Sequence, residues 1–308
     1  MESDICIYDI ETKTFGRPDP EKDVMKFFGC YSYKSGKFYM LTNKNDIQRV
    51  INAHKYLVGF NNKQYDDIIL RREGINLDYK IPIDLMEIFK KRAPSMKTKK
   101  GMLGDLLMSY SLDFITKILD LADDGSKLKI DFNIFKKDSW TPEELAPIRE
   151  YLERDIMLTK KLYEWCEDYF ESFKGFVTED DVRKKVYLTA STASFSYRVM
   201  CKELGMEPEF ANVEGDAEMY EGGYVSFPAG EFFEDNLVLN DFTSMYPFSF
   251  MQCNLFSHNC TCCTKEERWH GGGFFKVEGY YCTKKQGKVE ELYKRFFLLR
   301  KQYKKEKN

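Results

Sequence analysis

Three short segments place acidic residues where they could act on a phosphodiester. In Tyr8-Asp-Ile-Glu-Thr12, the period-two alternation of an extended chain aims Asp9 and Glu11 to one side while Ile10 faces a core. In Gly59-Phe-Asn-Asn-Lys-Gln-Tyr-Asp66, a strand empties into a loop and Asp66 opens the following helix, with Asp67 as the alternative acid. In Tyr151-Leu-Glu-Arg-Asp155, the i,i+4 spacing puts Tyr151 and Asp155 on one helical face, one turn apart. Taken singly, these read as a surface strand end, a helix cap and a helix surface. Taken together they suit one chemistry. Hydrolysing a phosphodiester at neutral pH needs a strong oxygen nucleophile and something to absorb charge on the leaving oxygen. Two divalent cations about 3.5–4 Å apart do both, and carboxylates are the ligands that hard cations such as Mg²⁺ accept.

The elements that must carry these residues are legible in outline, and the pattern predicts a mixed α/β fold. Ile5 to Ile10, Phe27 to Tyr33 and Lys37 to Leu41 are short apolar or aromatic runs separated by turn residues such as Ser35-Gly36, as expected of consecutive paired strands. An amphipathic stretch from Asn45 to Ala53 predicts a helix, and Tyr56 to Phe60 another strand. Thr141, Pro142 and Glu144 form a T-x-x-E capping box with proline at the first helical position, opening a helix that runs to about Phe173. One long helix is predicted over 186–204, ending at Gly205, and a strongly basic one over Val289–Lys307. A short strand over Leu237–Asn240 leads into Asp241. The predicted organisation is a first domain over 1–175, a second over 176–260, and a basic helical segment over 261–308.

The three acidic segments resemble the motifs of the 3′-5′ proofreading exonuclease of family B DNA polymerases, a ribonuclease-H-like fold with four metal-binding acids and a tyrosine. Its D-I-E motif matches Asp9 and Glu11. Its N-x-x-(x)-F/Y-D motif matches Asn61 or Asn62 through Tyr65 to Asp66, and its Y-x-x-x-D motif matches Tyr151 and Asp155. The resemblance implies that the four acids hold two Mg²⁺ or Mn²⁺ ions and that Tyr151 positions the attacking water. Ser111-Leu-Asp-Phe-Ile115 is similar to the motif that contacts single-stranded DNA in these enzymes, through Ser111 and Leu112. Lys127-Leu-Lys-Ile130 is similar to the element whose lysine, here Lys127, meets the substrate phosphate. Asn62, Tyr65 and Phe114 are further candidates for contact with unpaired bases, with core packing as the competing role for the aromatic rings.

The later part of the chain resembles the opening of the polymerase itself. Tyr220-Glu-Gly-Gly-Tyr-Val225 is similar to the Y-x-G-G motif that links the two domains and touches DNA through Tyr220, Gly222 and Gly223. Asp241-Phe-Thr-Ser-Met-Tyr-Pro247 is similar to the palm motif D-x-x-S-L-Y-P, with Met245 in place of leucine. By that resemblance Asp241 and the Phe242 backbone hold a metal, Tyr246 closes the sugar pocket, and Arg300 and Lys304 grip the incoming triphosphate. No aspartate follows Asp241, so the second palm acid is missing from this sequence. The expectation is a fragment, a truncated gene product or one half of a split polymerase that does not extend primers by itself, with a stand-alone 3′-5′ DNA exonuclease whose palm remnant only binds DNA as the alternative. Asp9 lies too near the start for the N-terminal domain of cellular members, which points to a viral or plasmid type. The implied partners are single-stranded and primer-template DNA, and deoxynucleotides once the site is completed.

Composition fits this reading. Hydrophobic residues make up 43% and charged residues 31% of the 308, and no apolar run is long enough to span a membrane. The start, Met-Glu-Ser-Asp, lacks the basic region of a secretory signal, so a cytoplasmic location is expected, the host cytoplasm for a viral protein. A net charge of −3 hides a basic end, with 13 Lys and Arg against 6 Glu over 250–308. Nine scattered cysteines suit reduced thiols. Cys253, His258, Cys260, Cys262, Cys263, His270 and Cys282 contain enough ligands for zinc, but their spacing lacks paired C-x-x-C knuckles and favours a reduced thiol cluster.

Overall fold

The computed structural model describes residues 4–122 and 130–210, and beyond them 249, 251, 254, 262, 269–270, 280–282 and 284–306. The chain divides into two compact units, Met1–Ser196 and Tyr197–Asn308.

The first unit is mixed α/β. Strands β1 (Ile5–Lys13), β2 (Val24–Ser32), β3 (Lys37–Leu41), β4 (Tyr56–Gly59) and β5 (Ile81–Asp84) form one sheet in the order β3-β2-β1-β4-β5. The first three pair antiparallel, as their turn signals predict, whereas β4 pairs parallel to β1 and β5 parallel to β4. Parallel pairing requires crossovers, and α1 (Lys44–Asn52) and α2 (Asp66–Arg72) supply them. Their apolar stripes, Ile47 and Ile51 on α1 and Ile69 and Leu70 on α2, bury against Cys6, Tyr8, Ile10, Phe28 and Cys30 on one face of the sheet. Helix α3 (Leu85–Arg92) follows β5, then come the short antiparallel pair β6 (Lys97–Thr98) and β7 (Gly101–Met102) and two short helices, α4 (Leu103–Leu106) and α5 (Leu112–Ile118).

The other face is covered by α6 (Pro142–Phe170), which begins at the predicted capping box. The Glu144 N–H donates to the Thr141 hydroxyl at 3.4 Å, and the Thr141 N–H donates to the Glu144 carboxylate at 3.1 Å. Helix α6 approaches the sheet closely at Gly29. A Cβ on that residue would lie 2.5 Å from Leu152 Cγ and 2.7 Å from Ile156 Cδ1.

The helix predicted over 186–204 is instead two, α8 (Val186–Thr189) and α9 (Thr192–Leu204), after a short α7 (Glu179–Arg183). Ala190 is extended between them. The Ser191 hydroxyl accepts from the Ser194 N–H at 3.2 Å, so the serine starts a new helix rather than continuing the old one. Arg92, buried against the ring of Phe170 at 4.6 Å, donates from Nη1 to the Ala190 carbonyl at 2.9 Å and pins the break. Helix α9 stops at Gly205, as predicted, and the glycine takes the left-handed conformation at φ 68°. In the second unit, β8 (Trp269–His270) pairs with β9 (Tyr280–Tyr281), and α10 (Lys288–Glu306) occupies the predicted basic stretch. Among the described residues, no helix is long and apolar enough to cross a membrane.

The C-terminal half of α6 is tied to the 178–190 segment by a charged cluster. Lys185, in the left-handed region at φ 57°, donates to Glu167 at 2.7 Å, and the hydroxyls of Tyr163 and Tyr187 each donate to the same carboxylate at 2.6 Å. Burial by itself would raise the proton affinity of Glu167, but the Lys185 charge and these hydrogen bonds outweigh it and hold the carboxyl below its ordinary range.

Two measurements test these contacts. Gly29→Ala is expected to destabilise the first unit by about 1–3 kcal/mol through overpacking. An unchanged urea midpoint would contradict the close approach. Because the Glu167 pKa is depressed in the folded state, its stabilisation is complete above the unfolded value of about 4.3 and is lost as pH falls through the folded value. Glu167→Gln should therefore be less stable than wild type at neutral pH, and the gap should narrow below about pH 4. A gap independent of pH would show that the carboxylate is not the stabilising group.

Candidate active site

Residues from three separate segments meet in one cleft of about 330 Å³ in the first unit. Asp9 and Glu11 reach it from β1, Asp66 from the first turn of α2, and Tyr151 and Asp155 from α6. Asp9 pairs across the sheet with Gly29, so the acids of β1 lie on the face that α6 covers. A register shift follows directly after Glu11, and the next residue, Thr12, also lines the cleft.

Asp66 is placed by backbone geometry. Asn61 adopts the left-handed region at φ 64°, and its N–H donates to the Asp84 carboxylate at 2.9 Å. Asp84 also accepts from the N–H groups of Lys63 at 3.4 Å and Glu87 at 3.3 Å, capping α3 while shaping the turn before α2. A Cβ at Gly59 would lie 2.7 Å from Asn62 Cβ, so the glycine lets the loop fold back on itself. The Asp66 carboxylate accepts from the Ile10 N–H at 3.1 Å, fastening the α2 terminus to β1 between the two strand acids.

The neighbouring acid has a different role. Asp67 points away from the cleft and accepts the hydroxyl proton of buried Tyr8, which in turn accepts from Asn62 Nδ2 at 3.0 Å. Asn61, not Asn62, lines the cleft. Asn62 is only 1% exposed.

Burial comes first, and the charge of Asp9 second, in pushing the Asp66 carboxyl well above the usual range. The donors are carboxylate oxygens, the chemistry that Mg²⁺ or Mn²⁺ takes, and a cation among them would supply the charge that burial and crowding now demand. Among the described residues, no three acidic, His or Cys groups already converge on a single point. The acids line the cleft walls instead.

Two aromatic residues mark the cleft. The Tyr65 hydroxyl lies 2.9 Å from the Thr12 hydroxyl and donates to the Asp23 carboxylate at 2.6 Å. Burial and the bond to Asp23 raise its proton affinity. Arg72 reaches the same loop, donating to the Pro20 carbonyl at 2.5 Å and to the Asp23 carbonyl. The Tyr65 ring is thereby anchored to the 14–23 loop, whose Thr14 and Pro18 line the cleft. Phe132 is 61% exposed and stands edge-on to Tyr151 at 6.1 Å between ring centres.

The other predicted residues lie elsewhere. Ser111 caps α5, its hydroxyl accepting from the Phe114 N–H at 3.3 Å, and neither Ser111 nor Leu112 lines the cleft. Arg300 and Lys304 are exposed one turn apart on α10. Lys127, Tyr220, Gly222, Gly223, Asp241, Phe242 and Tyr246 lie outside the described residues, as do Cys253, His258, Cys260, Cys263 and the 237–240 stretch. Asp84, Asp23, Phe132 and Gly29 were not singled out by their sequence pattern. Only Asp84 carried a readable signal, the D-x-x-E spacing to Glu87 at the end of a strand.

Across 98% of its length, the chain superimposes on the solved structure of the family B DNA polymerase from the hyperthermophilic archaeon Pyrobaculum calidifontis, with a TM-score of 0.56 and 15% sequence identity. The fold is family B polymerase-like. At that identity the likeness concerns the fold, and this chain spans 42% of that polymerase's length. No protein-family model and no curated protein matches the sequence.

The anchoring of Tyr65 yields a prediction. Tyr65→Phe keeps the ring but loses the hydroxyl's bonds to Thr12 and Asp23, at a cost of about 0.5–1.5 kcal/mol. Amide hydrogen exchange over 19–23 should quicken. Unchanged exchange there would mean that the hydroxyl does not hold the loop.

Proposed function

We propose that the cleft is the two-metal 3′-5′ exonuclease site of a ribonuclease-H-like domain, within a chain that corresponds to part of a family B DNA polymerase. The observation that carries this reading is that all five residues expected from three distant motifs, Asp9, Glu11, Asp66, Tyr151 and Asp155, line one cleft. The polymerase-like fold supports it, as does the all-oxygen donor set.

In this reading Asp9, Glu11, Asp66 and Asp155 hold two Mg²⁺ or Mn²⁺ ions, which when bound activate the nucleophile and neutralise charge on the leaving oxygen. Tyr151, at the cleft wall on α6, orients the attacking water. Asp66 keeps its position through the Ile10 N–H, so the acid does not swing as the substrate enters. Phe132 offers an exposed ring on which the terminal base of a single strand can stack. Lys127 would meet the substrate phosphate, and Ser111 and Leu112 would contact the strand further from the cleft. In the second unit, Asp241 and Phe242 would hold a polymerase metal, and Tyr246, Arg300 and Lys304 would bind the deoxynucleotide. Tyr220, Gly222 and Gly223 would track primer-template DNA.

The test is degradation of a 5′-labelled single-stranded oligonucleotide with Mg²⁺. Asp9→Ala combined with Glu11→Ala should slow it by more than the ~10–100-fold that loss of an outer-shell partner costs, with an unchanged circular dichroism spectrum. Undiminished degradation by the double variant would refute the site. Primer extension by this chain with deoxynucleotides would refute the expectation that its polymerase site is unfinished.

A further inference from the structure

Cys262 and Cys282, both in the second unit, take part in none of the chemistry above. Their sulfurs lie 3.3 Å apart although 20 residues separate them in sequence. That is contact, but well outside the ~2.05 Å of a disulfide bond. Cys282 is buried directly after β9, and its sulfur accepts the backbone N–H of Lys285 at 3.2 Å.

The turn that presents Cys282 is fixed by Asn254, itself buried and in the left-handed region at φ 54°. Its Nδ2 donates to the carbonyls of Cys282 at 2.6 Å and Lys285 at 2.7 Å, and its Oδ1 accepts the Gly287 N–H at 2.9 Å. The Gly287 carbonyl then accepts from the Glu291 N–H at 3.0 Å in the first turn of α10. One sulfur is thus held on a hydrogen-bonded frame at the foot of the basic helix, with a second sulfur against it.

We propose that Cys262 and Cys282 form a dithiol that closes into an intramolecular disulfide in the presence of a small-molecule disulfide, tying residue 262 to the base of α10. Closure needs only these two sulfurs, whereas a zinc site takes four ligands. The oxidant is a low-molecular-weight disulfide such as oxidised glutathione. Cys262, the more exposed of the two, attacks one glutathione sulfur as its thiolate, forming a mixed disulfide and releasing a glutathione thiolate that takes up the proton lost by Cys262. Cys282, losing its own proton, then attacks the Cys262 sulfur and expels the second glutathione, which takes up that proton. The cysteine pair gives up two electrons and two protons, and one glutathione disulfide becomes two thiols.

The experiment equilibrates the full chain with mixtures of reduced and oxidised glutathione, then quenches, maps peptides by mass spectrometry and counts remaining thiols. The expected result is loss of two thiols per chain, with a Cys262–Cys282 cross-linked peptide that dithiothreitol removes. Cys282→Ser should instead stop at a glutathione adduct on Cys262, and Cys262→Ser should give no cross-link at Cys282. Mapping on the wild-type chain keeps the test independent of whether either variant folds. Cross-linking of Cys282 to a different cysteine, persistent single adducts in the wild type, protection of both thiols by stoichiometric bound zinc, or no oxidation at any ratio would each overturn the proposal.

Discussion

Helix α6 can lie against the sheet where it does because residue 29 has no side chain. Gly29 sits on β2 directly across from Asp9, and the space its Cβ would fill is taken by Leu152 and Ile156 of α6. Those two residues bracket Asp155 and follow Tyr151, so the contact that seats the helix also sets the distance between the strand acids and the helix acid. A cleft built from two elements far apart in sequence inherits its width from this one packing contact. Interiors are close-packed, and a displacement of α6 by a few tenths of an ångström passes directly to the groups it carries.

The third wall depends on a different physical device. Asp66 comes from the turn between β4 and α2, and turns have no packing face of their own to hold them. Hydrogen bonds replace it. Asp84, at the end of the neighbouring strand, accepts three backbone N–H groups, two in this turn and one at the head of α3. The Ile10 N–H then ties Asp66 to β1. Polar groups that would be costly to bury unpaired are each given a partner, and the partners lie on elements that already pack well. The precision of the loop is borrowed from the sheet.

This division explains what was legible in the sequence. The strand acids, the capped helix and the Tyr151–Asp155 pair follow from local periodicity, and local periodicity is what a sequence displays. The break at Ala190 was missed because Val186 to Leu204 has continuous helical patterning. It takes the Ser191 hydroxyl and the distant Arg92 to end one helix and begin another. Gly29 reads as an ordinary strand glycine until a helix from residue 152 is laid over it. The motif predicts Tyr65 and Asn62 at the DNA surface, and Tyr65 does line the cleft; the polar partners of the two side chains are what spacing hides. The structure places the Tyr65 hydroxyl in a bond to Asp23 and the Asn62 amide against Tyr8, both contacts with residues more than 40 positions away. Long-range polar contacts leave no trace in spacing.

Asp66 and Asp67 show most directly why residue type and position do not assign a role. They are adjacent, identical in chemistry, both in the first turn of α2 and both buried. Burial raises the proton affinity of each. For Asp67 the bonds from Tyr8 and Asn62 and the charge of Arg71 oppose that rise without cancelling it, and the Tyr8 bond fixes β1 against α2. For Asp66 the second-largest influence is another acid, Asp9, which adds to the rise. One carboxylate has side-chain partners inside the fold. The other shares a cleft with three more acids, and a hard divalent cation is the chemical species that would balance it. The same helix turn thus holds a structural acid and a candidate ligand, told apart by what lies opposite each.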